Sequence, residues 1–351
     1  MHTVNLKIHD VAFGGKGVGR VDGKAVFVPY TIEGETVLAE IVRDKKQFAE
    51  AELTEIQESS PNRVAPECPY FGRCGGCSYQ HIDYQHQLAI KWRQVRDVLQ
   101  RIGKLKDVPM RPIIPSPLSY AYRNRITVHA QDGVVGFFRR DSNRLIDIER
   151  CPIAMDEVNR SLAALRTRRT MDGHYTLRAK AGPRVFSQAN DLVADALRDL
   201  VVQLVSPDQK LLIDAYCGIG FFAKALLDKF EQTVGIDWDK FAVEEAKRNA
   251  STKELYVAGD IEQELARAFE NADPTKTALI VDPPASGLTP KVRAIIRNMA
   301  PATLIYVSCK PPTLARDLNE LQQRFTIDSV TPLDMFPQTA EIETVTHLRA
   351  S

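Results

Sequence analysis

Nowhere in this 351-residue chain do apolar residues run on far enough to cross a bilayer: no stretch approaches the roughly 18 that a membrane helix needs. The opening MHTVNLKIHDVAFGG lacks the cationic-then-apolar pattern of a secretory signal. The chain is therefore expected to be cytoplasmic, with no membrane partner. Cysteine is scarce, six residues in all, and in a reducing compartment that argues against a framework of disulfides. Net charge is nearly absent at +1, which excludes a uniformly basic or acidic protein. Yet residues 1–58 hold 7 basic and 10 acidic side chains, 59–190 hold 22 and 11, and 191–351 hold 17 and 24. The basic middle points to a polyanionic partner such as nucleic acid, although a solvated face reads equally well from charge alone.

What is present is an ordinary globular composition, 44% hydrophobic and 26% charged, long enough for two or three domains. Residues 4–57 alternate apolar and polar in short runs (AVFVPY, TVLAEIV, FAEAELTEI) separated by Gly-rich or Asp-Gly turns. That is the pattern of a small antiparallel, OB-like β-barrel, a fold that often binds RNA. A Pro- and Ser-containing linker follows at 58–69, then an amphipathic helix near 84–102 and strands around 122–130 and 134–139. From about 190 the pattern becomes a helix at 190–205 and strands at 210–215, 233–237, 254–259, 277–282 and 302–308, with helices between them. Two strands near 326–334 and 341–348 close the chain. Repeated strand–helix units predict an α/β fold with a parallel, doubly wound sheet. A terminal hairpin on it is the usual ending of the S-adenosylmethionine-dependent methyltransferase architecture. The expected domains are 1–58, 59–185 and 186–351.

LLIDAYCGIGFF, 211–222, is an apolar strand entering a glycine turn, where α/β sheets bind nucleotides. Gly218, Gly220 and Ala223 also satisfy the dinucleotide spacing G-x-G-x-x-A, so the glycines alone do not name the ligand. Asp214 would repel a pyrophosphate but suits the ammonium and sulfonium of S-adenosylmethionine. Asp237, closing the next strand, can take ribose hydroxyls, and Asp260 can take the adenine amino group. Each Asp alone reads as a helix N-cap; three at successive strand ends argue for a pocket. The fourth strand ends IVDPPASGL, which turns carbonyls and Asp282 toward the crevice.

Cys309, in YVSCKPPTLARDL, closes the fifth strand and should share that crevice. Uracil C5 is a poor nucleophile, and a thiolate adding to C6 would make it an enolate able to attack a methyl group. A following helix N-terminus and Lys310 would favour ionisation of the thiol. Glu343, in PQTAEIETVTHL, is the candidate base for the C5 proton, although a lone strand glutamate is more often a surface residue. Cys68, Cys74 and Cys77 form C-x5-C-x2-C, with Cys151 a distant fourth, beside glycines at 72, 75 and 76. Four such thiols call for a metal: an iron–sulfur cluster on this three-plus-one spacing, or zinc. Cys217 reads as packing.

Together these segments resemble the RNA 5-methyluridine methyltransferases that carry an N-terminal TRAM barrel. The resemblance runs in order through the barrel, the cysteine quartet, FSQAN, DAYCGIG, DPPASGL, SCKPPTLARDL and DMFPQTAEIE. It implies a class I methyltransferase domain preceded by a small α+β iron–sulfur domain. Cys309 would be the nucleophile and Glu343 the base. Gln188, Tyr216, Asp237 and Asp282 would contact S-adenosylmethionine, with Asp260 an addition. The four cysteines would hold a [4Fe–4S] cluster, and AYRNR (121–125) falls on a recurrent segment of the central domain. The partner would be ribosomal or transfer RNA, and the protein a monomer.

Four departures stand out. Ala285 occupies the place of a family arginine, Lys310 that of an Asn or Asp, Phe221 that of an Asn, and Asp237 that of a Glu. The 36 residues between Cys151 and Gln188 look short for the family. They motivate a competing expectation, a non-catalytic RNA-binding protein on a degenerate scaffold, which would bind RNA without S-adenosylmethionine. A nicotinamide oxidoreductase would have no use for Asp214 or for the Cys309 strand.

Overall fold

Residues 2–140, 142–168, 170–180, 188–206 and 208–351 are described by a computed structural model of the chain. Five strands, β1 (Thr3–Val11), β2 (Lys16–Val21), β3 (Lys24–Pro29), β4 (Thr36–Asp44) and β5 (Phe48–Glu58), form a closed barrel in the order β1-β2-β3-β5-β4. Their alternation sends Leu6, Ile8, Val26, Val28 and Val37 inward. Only β3 and β5 run parallel. Pairing of β1 with β4 removes the open edge at which a small sheet would aggregate.

The middle of the chain holds α1 (Tyr84–Arg101), β6 (Arg125–Gln131), β7 (Val134–Phe138), β8 (Leu145–Asp147), α2 (Asp156–Arg166) and β9 (Gly173–Arg178). The strands form one antiparallel sheet, β8-β7-β6-β9. Helix α1 begins where Asp83 accepts hydrogen bonds from the amides of Gln85 and His86. Its buried stripe is not purely apolar, since Gln87, Lys91 and Gln94 interrupt Leu88, Val95 and Leu99. Burying such groups is costly unless each finds a partner, and the nitrogen of each side chain finds one. Gln94 donates to the carbonyls of Val11 and Ala12 in the barrel, at 2.8 and 2.9 Å. Gln87 and Lys91 reach the loop that precedes the last strand.

The remaining elements are α3 (Asp191–Leu204), β10 (Leu211–Ala215), α4 (Phe221–Ala225), β11 (Gln232–Asp237), α5 (Lys240–Lys247), β12 (Glu254–Ala258), α6 (Ile261–Phe269), β13 (Thr277–Val281), α7 (Pro290–Met299), β14 (Thr303–Ser308), α8 (Pro311–Leu321), β15 (Phe325–Leu333) and β16 (Glu343–Ala350). They build a seven-stranded sheet, β12-β11-β10-β13-β14-β16-β15. The first five in that order are parallel, and β16 enters antiparallel between β14 and β15. Every residue of β13 and β14 is buried, the mark of strands covered on both faces. Among the described residues, no helix is long and apolar enough to cross a membrane.

Candidate active site

Register brings the expected residues to one edge of this sheet. Ala215 pairs with Ile236 and with Val281, and Val281 pairs with Tyr306. Tyr216, Asp237 and Asp282 therefore emerge side by side, just beyond the strands' carboxyl ends. Ser308 pairs with Thr344 across the antiparallel β14–β16 ladder, so the next residues outward, Cys309 and Glu343, also face each other. With strands about 4.8 Å apart, Asp282, Cys309 and Glu343 stand on three adjacent strands. The crevice from Asp237 to Cys309 is three strand spacings wide.

The electrostatics of this trio correct one expectation. Burial, then the Glu343 and Asp282 carboxylates, push the Cys309 thiol up to about 11. The Lys310 ammonium is turned toward the Phe13 ring, 5.1 Å from the centroid. The helix supplies few donors, because α8 begins with Pro311 and Pro312, which carry no N–H. The two ionising influences expected from the sequence are outweighed by burial and by the neighbouring carboxylates in the free protein. Burial also holds Glu343 and Asp282 above the usual carboxylate range, with Glu343 raised further by Asp282 and Glu341 and Asp282 by Asp237.

The nucleotide end has its own carboxylates. Asp214 is fully buried; its Oδ2 accepts a hydrogen bond from the Ala223 amide at 3.0 Å, and its Oδ1 has no partner among the described residues. Burial, with the Asp282 and Asp237 charges, raises it to about 8. Asp237 accepts from the Gly218 and Asp239 amides, both at 2.8 Å, which ties the glycine turn to the end of β11. Gly218 is left-handed at φ +54°, and a Cβ there would project into open space within ligand reach. Tyr216 holds φ +68° without being glycine, a conformation that costs on the order of 1 kcal/mol and clusters at functional sites. Asp260 is exposed and caps α6 through the Gln263 amide, the plain structural role of such a residue. Gln188 is held through its carbonyl, which accepts from the Asn124 side chain at 2.9 Å; Phe186 and Ser187 of the same motif lie outside the described residues. The Cys217 side chain is buried with Ala223, Val243, Ala246 and Tyr256, as packing requires.

Two braces that the sequence did not announce position the edge. Asp317, fully buried in α8, accepts from the Leu288 amide (2.8 Å), Tyr306 hydroxyl (2.7 Å), Arg293 (3.0 Å) and Arg316 (2.9 Å). This clamps the 282–288 turn; a Cβ on Gly287, at φ +74°, would lie 2.6 Å from the Asp317 carboxylate. The loop before Glu343 is braced by α1. Lys91 and Asp334 form a wholly buried ion pair at 2.6 Å, and Lys91 also donates to the carbonyls of Phe336 and Glu341. Gln87 and Gln338 exchange side-chain and backbone hydrogen bonds, and the Gln338 carbonyl accepts from the Ser78 and Tyr79 amides. Lys91→Met should therefore strand a buried carboxylate and destabilise the fold by about 3–5 kcal/mol. A fall in the denaturant midpoint checks this, and adding Asp334→Leu should restore most of it.

Cys68, Cys74, Cys77 and Cys151 line one cavity of about 540 Å³. The loop of the first three is anchored where Gly75 donates to the Phe138 carbonyl and Cys68 to the Gln80 side chain. Cys151 is fixed by Asn159, which bonds both its amide and its carbonyl. Burial pushes the Cys77 and Cys151 thiols up to about 12 and about 11, and each of the two is raised further by other thiols of the quartet. Among the described residues, no three His, Cys, Asp or Glu side chains converge on one metal ion. The four lining side chains are soft thiols, a donor type suited to zinc or to an iron–sulfur cluster.

A closed barrel ahead of a doubly wound sheet, with its last strand inserted antiparallel and carboxylates along its carboxyl edge, defines a methyltransferase domain with an appended barrel. Residues 167–351 match the family described as tRNA (Uracil-5-)-methyltransferase, and residues 2–54 match the TRAM domain. The chain belongs to that methyltransferase family, and it is an enzyme. It is 30% identical to an uncharacterized RNA methyltransferase of Protochlamydia amoebophila over 428 aligned positions, covering 99% of this chain and 98% of the relative. It is 32% identical to one from Bdellovibrio bacteriovorus over 375 positions, covering 99% and 95%. The first alignment is much longer than the chain, so that relative carries several dozen positions that this one lacks. The crystal structure of Pyrococcus abyssi tRNA (uracil-54, C5)-methyltransferase with S-adenosyl-L-homocysteine superposes with a TM-score of 0.73, covering 98% of this chain and 100% of that one. At 23% identity, that likeness speaks for the fold.

Proposed function

We propose that this enzyme methylates C5 of a uridine in structured RNA, ribosomal or transfer, with Cys309 as nucleophile and Glu343 as base. The carrying observation is their adjacency across the β14–β16 ladder, beside Asp282 and in the crevice that opens from Asp237. In this reading the domains divide at 1–58, 59–185 and 186–351, and the protein works in the cytoplasm as a monomer. The target base is turned out of its stack into the crevice.

The Cys309 thiol gives up its proton to the Asp282 carboxylate, which leaves Glu343 ionised and returns that proton when the thiolate is expelled, and the sulfur bonds to C6 while the C5–C6 π electrons move toward O4. Bound S-adenosylmethionine supplies the electrophilic methyl group that C5 accepts. Glu343, as carboxylate, then removes the C5 proton; the electrons re-form the double bond and expel the Cys309 thiolate. Asp214 would face the donor's cationic end, Asp237 would take its ribose and Asp260 its adenine edge, with Tyr216, Gln188 and Asp282 completing the pocket. Cys68, Cys74, Cys77 and Cys151 hold a [4Fe–4S] cluster that maintains the loop packed against Gln338.

The test incubates anaerobically purified protein with labelled S-adenosylmethionine and bulk RNA from a strain lacking 5-methyluridine. Label in 5-methyluridine, together with four iron and four sulfide per chain, is expected; label in another nucleoside overturns the reaction. Calorimetric titration with S-adenosylmethionine should show binding, and its absence would favour a non-catalytic RNA binder.

A further inference from the structure

The barrel reaches the Cys309 edge through the hairpin turn between β1 and β2. That turn is fixed where Gln94 holds the Val11 and Ala12 carbonyls. It sits so close to the other two domains that a Cβ on Gly15 would lie 3.1 Å from Ser78 and Tyr79 of the central domain and 3.3 Å from Ala340 of the catalytic domain. Phe13, in this turn, packs its ring against the catalytic domain's core, and the half-buried Lys310 places its ammonium over that ring.

Lys310 directly follows the proposed nucleophile and makes no ion pair among the described residues. The other nearby cation, Arg316, is committed to Asp317 and to the Ser286 and Leu288 carbonyls. The ring face attracts the charge of Lys310 but leaves its N–H donors unused. The cation with free donors is therefore presented at the junction of the catalytic domain with the barrel, next to the proposed nucleophile. It also offsets a crevice otherwise lined by carboxylates, which would repel a phosphodiester.

We propose that Phe13 and Lys310 form a phosphate subsite for the RNA backbone flanking the extruded uridine, the catalytic domain giving the cation and the barrel the ring that positions it. This rests on the RNA reading above. It makes the barrel a part of substrate placement at the nucleophile itself.

The experiment measures binding of a fluorescein-labelled, uridine-centred single-stranded oligoribonucleotide across a salt series, alongside kcat and KM with unmodified bulk transfer RNA. Lys310→Gln should raise Kd and KM about 5- to 20-fold at low salt. The slope of log Kd against log salt should shrink by about 0.7, the loss of one phosphate contact. Lys310→Arg should restore the slope, and Phe13→Leu, which keeps apolar packing, should weaken binding about 2- to 5-fold with the slope intact. Affinity for S-adenosylmethionine should not change in any of the three. An unchanged slope in Lys310→Gln overturns the subsite. If that variant instead loses S-adenosylmethionine affinity, its ammonium serves the cofactor's carboxylate; if it loses kcat alone, it serves the chemistry. Should the native protein bind RNA without methylating it, the functional reading fails while the slopes still decide the subsite.

Discussion

Cys309→Ala is expected to lower methyl transfer to RNA by about 10⁴- to 10⁶-fold, the usual cost of removing a nucleophile, while S-adenosylmethionine and RNA still bind with near-native affinity. The reason is chemical: without a sulfur on C6, C5 carries no enolate density, and the rest of the site holds two reactants that do not react. The half-buried thiol packs modestly, so its truncation should leave the thermal transition almost unmoved. Single-turnover labelling of bulk RNA measures the rate, and calorimetry the binding. A variant that retains methylation within tenfold of the native rate would remove the thiol from the mechanism.

The elevated thiol does not stand against this role. Ionising a group of pKa about 11 at pH 7 costs about 5 kcal/mol at about 1.4 kcal/mol per unit. A reaction turning over once per second has a barrier of about 17 kcal/mol, so ionisation takes up roughly a third of it. The folded thiol lies above its ordinary value, so the neutral form dominates at pH 7 and thiolate grows only as pH climbs toward 11. Alkylation of Cys309 in the free protein, followed by peptide mass, should therefore keep accelerating through pH 9 and 10. A resting thiol of this kind is also protected from oxidation until substrate arrives.

The parallel sheet was readable because its strands are continuous apolar runs ending in Asp, Tyr or Cys, a local signal that needs no partner. The same locality made Asp237, Asp260, Asp282 and Cys309 visible as strand ends, whereas the cap that Asp260 gives α6 is read only from the fold. What escaped the sequence is long-range. Lys91 looks like an interruption in an amphipathic helix until Asp334, 243 residues away, is seen against it. Asp317 looks like an ordinary helix residue until four donors from the 288 turn, β14, α7 and α8 converge on it. In the middle of the chain, β8 spans three residues and α2 eleven, too short for periodicity to separate from loop. The ionisation of Cys309 was misjudged for a related reason: a helix start and a neighbouring lysine are legible, whereas the direction of the lysine and the desolvation of the sulfur belong to the folded state.

Glu343→Gln is expected to stop the reaction after methylation rather than before it. The amide cannot accept the C5 proton, so once C5 is alkylated the Cys309–C6 bond has no route to break, and protein and RNA remain joined. Turnover should fall by about 10³-fold or more, while a stoichiometric adduct accumulates that survives denaturing electrophoresis and carries label from the methyl donor. The site's electrostatics favour the variant's folding: Glu343 is buried beside Asp282 and Glu341, and all of that proximity raises its proton affinity, so a neutral amide relieves repulsion in the resting protein. Stability should hold or rise. That combination separates a base from a structural carboxylate, because losing a structural group would lower stability and adduct formation together. A Glu343→Gln protein that turns over normally, or that is inactive without ever bonding to RNA, would place proton removal elsewhere on the sheet edge, with Asp282 the next group within reach.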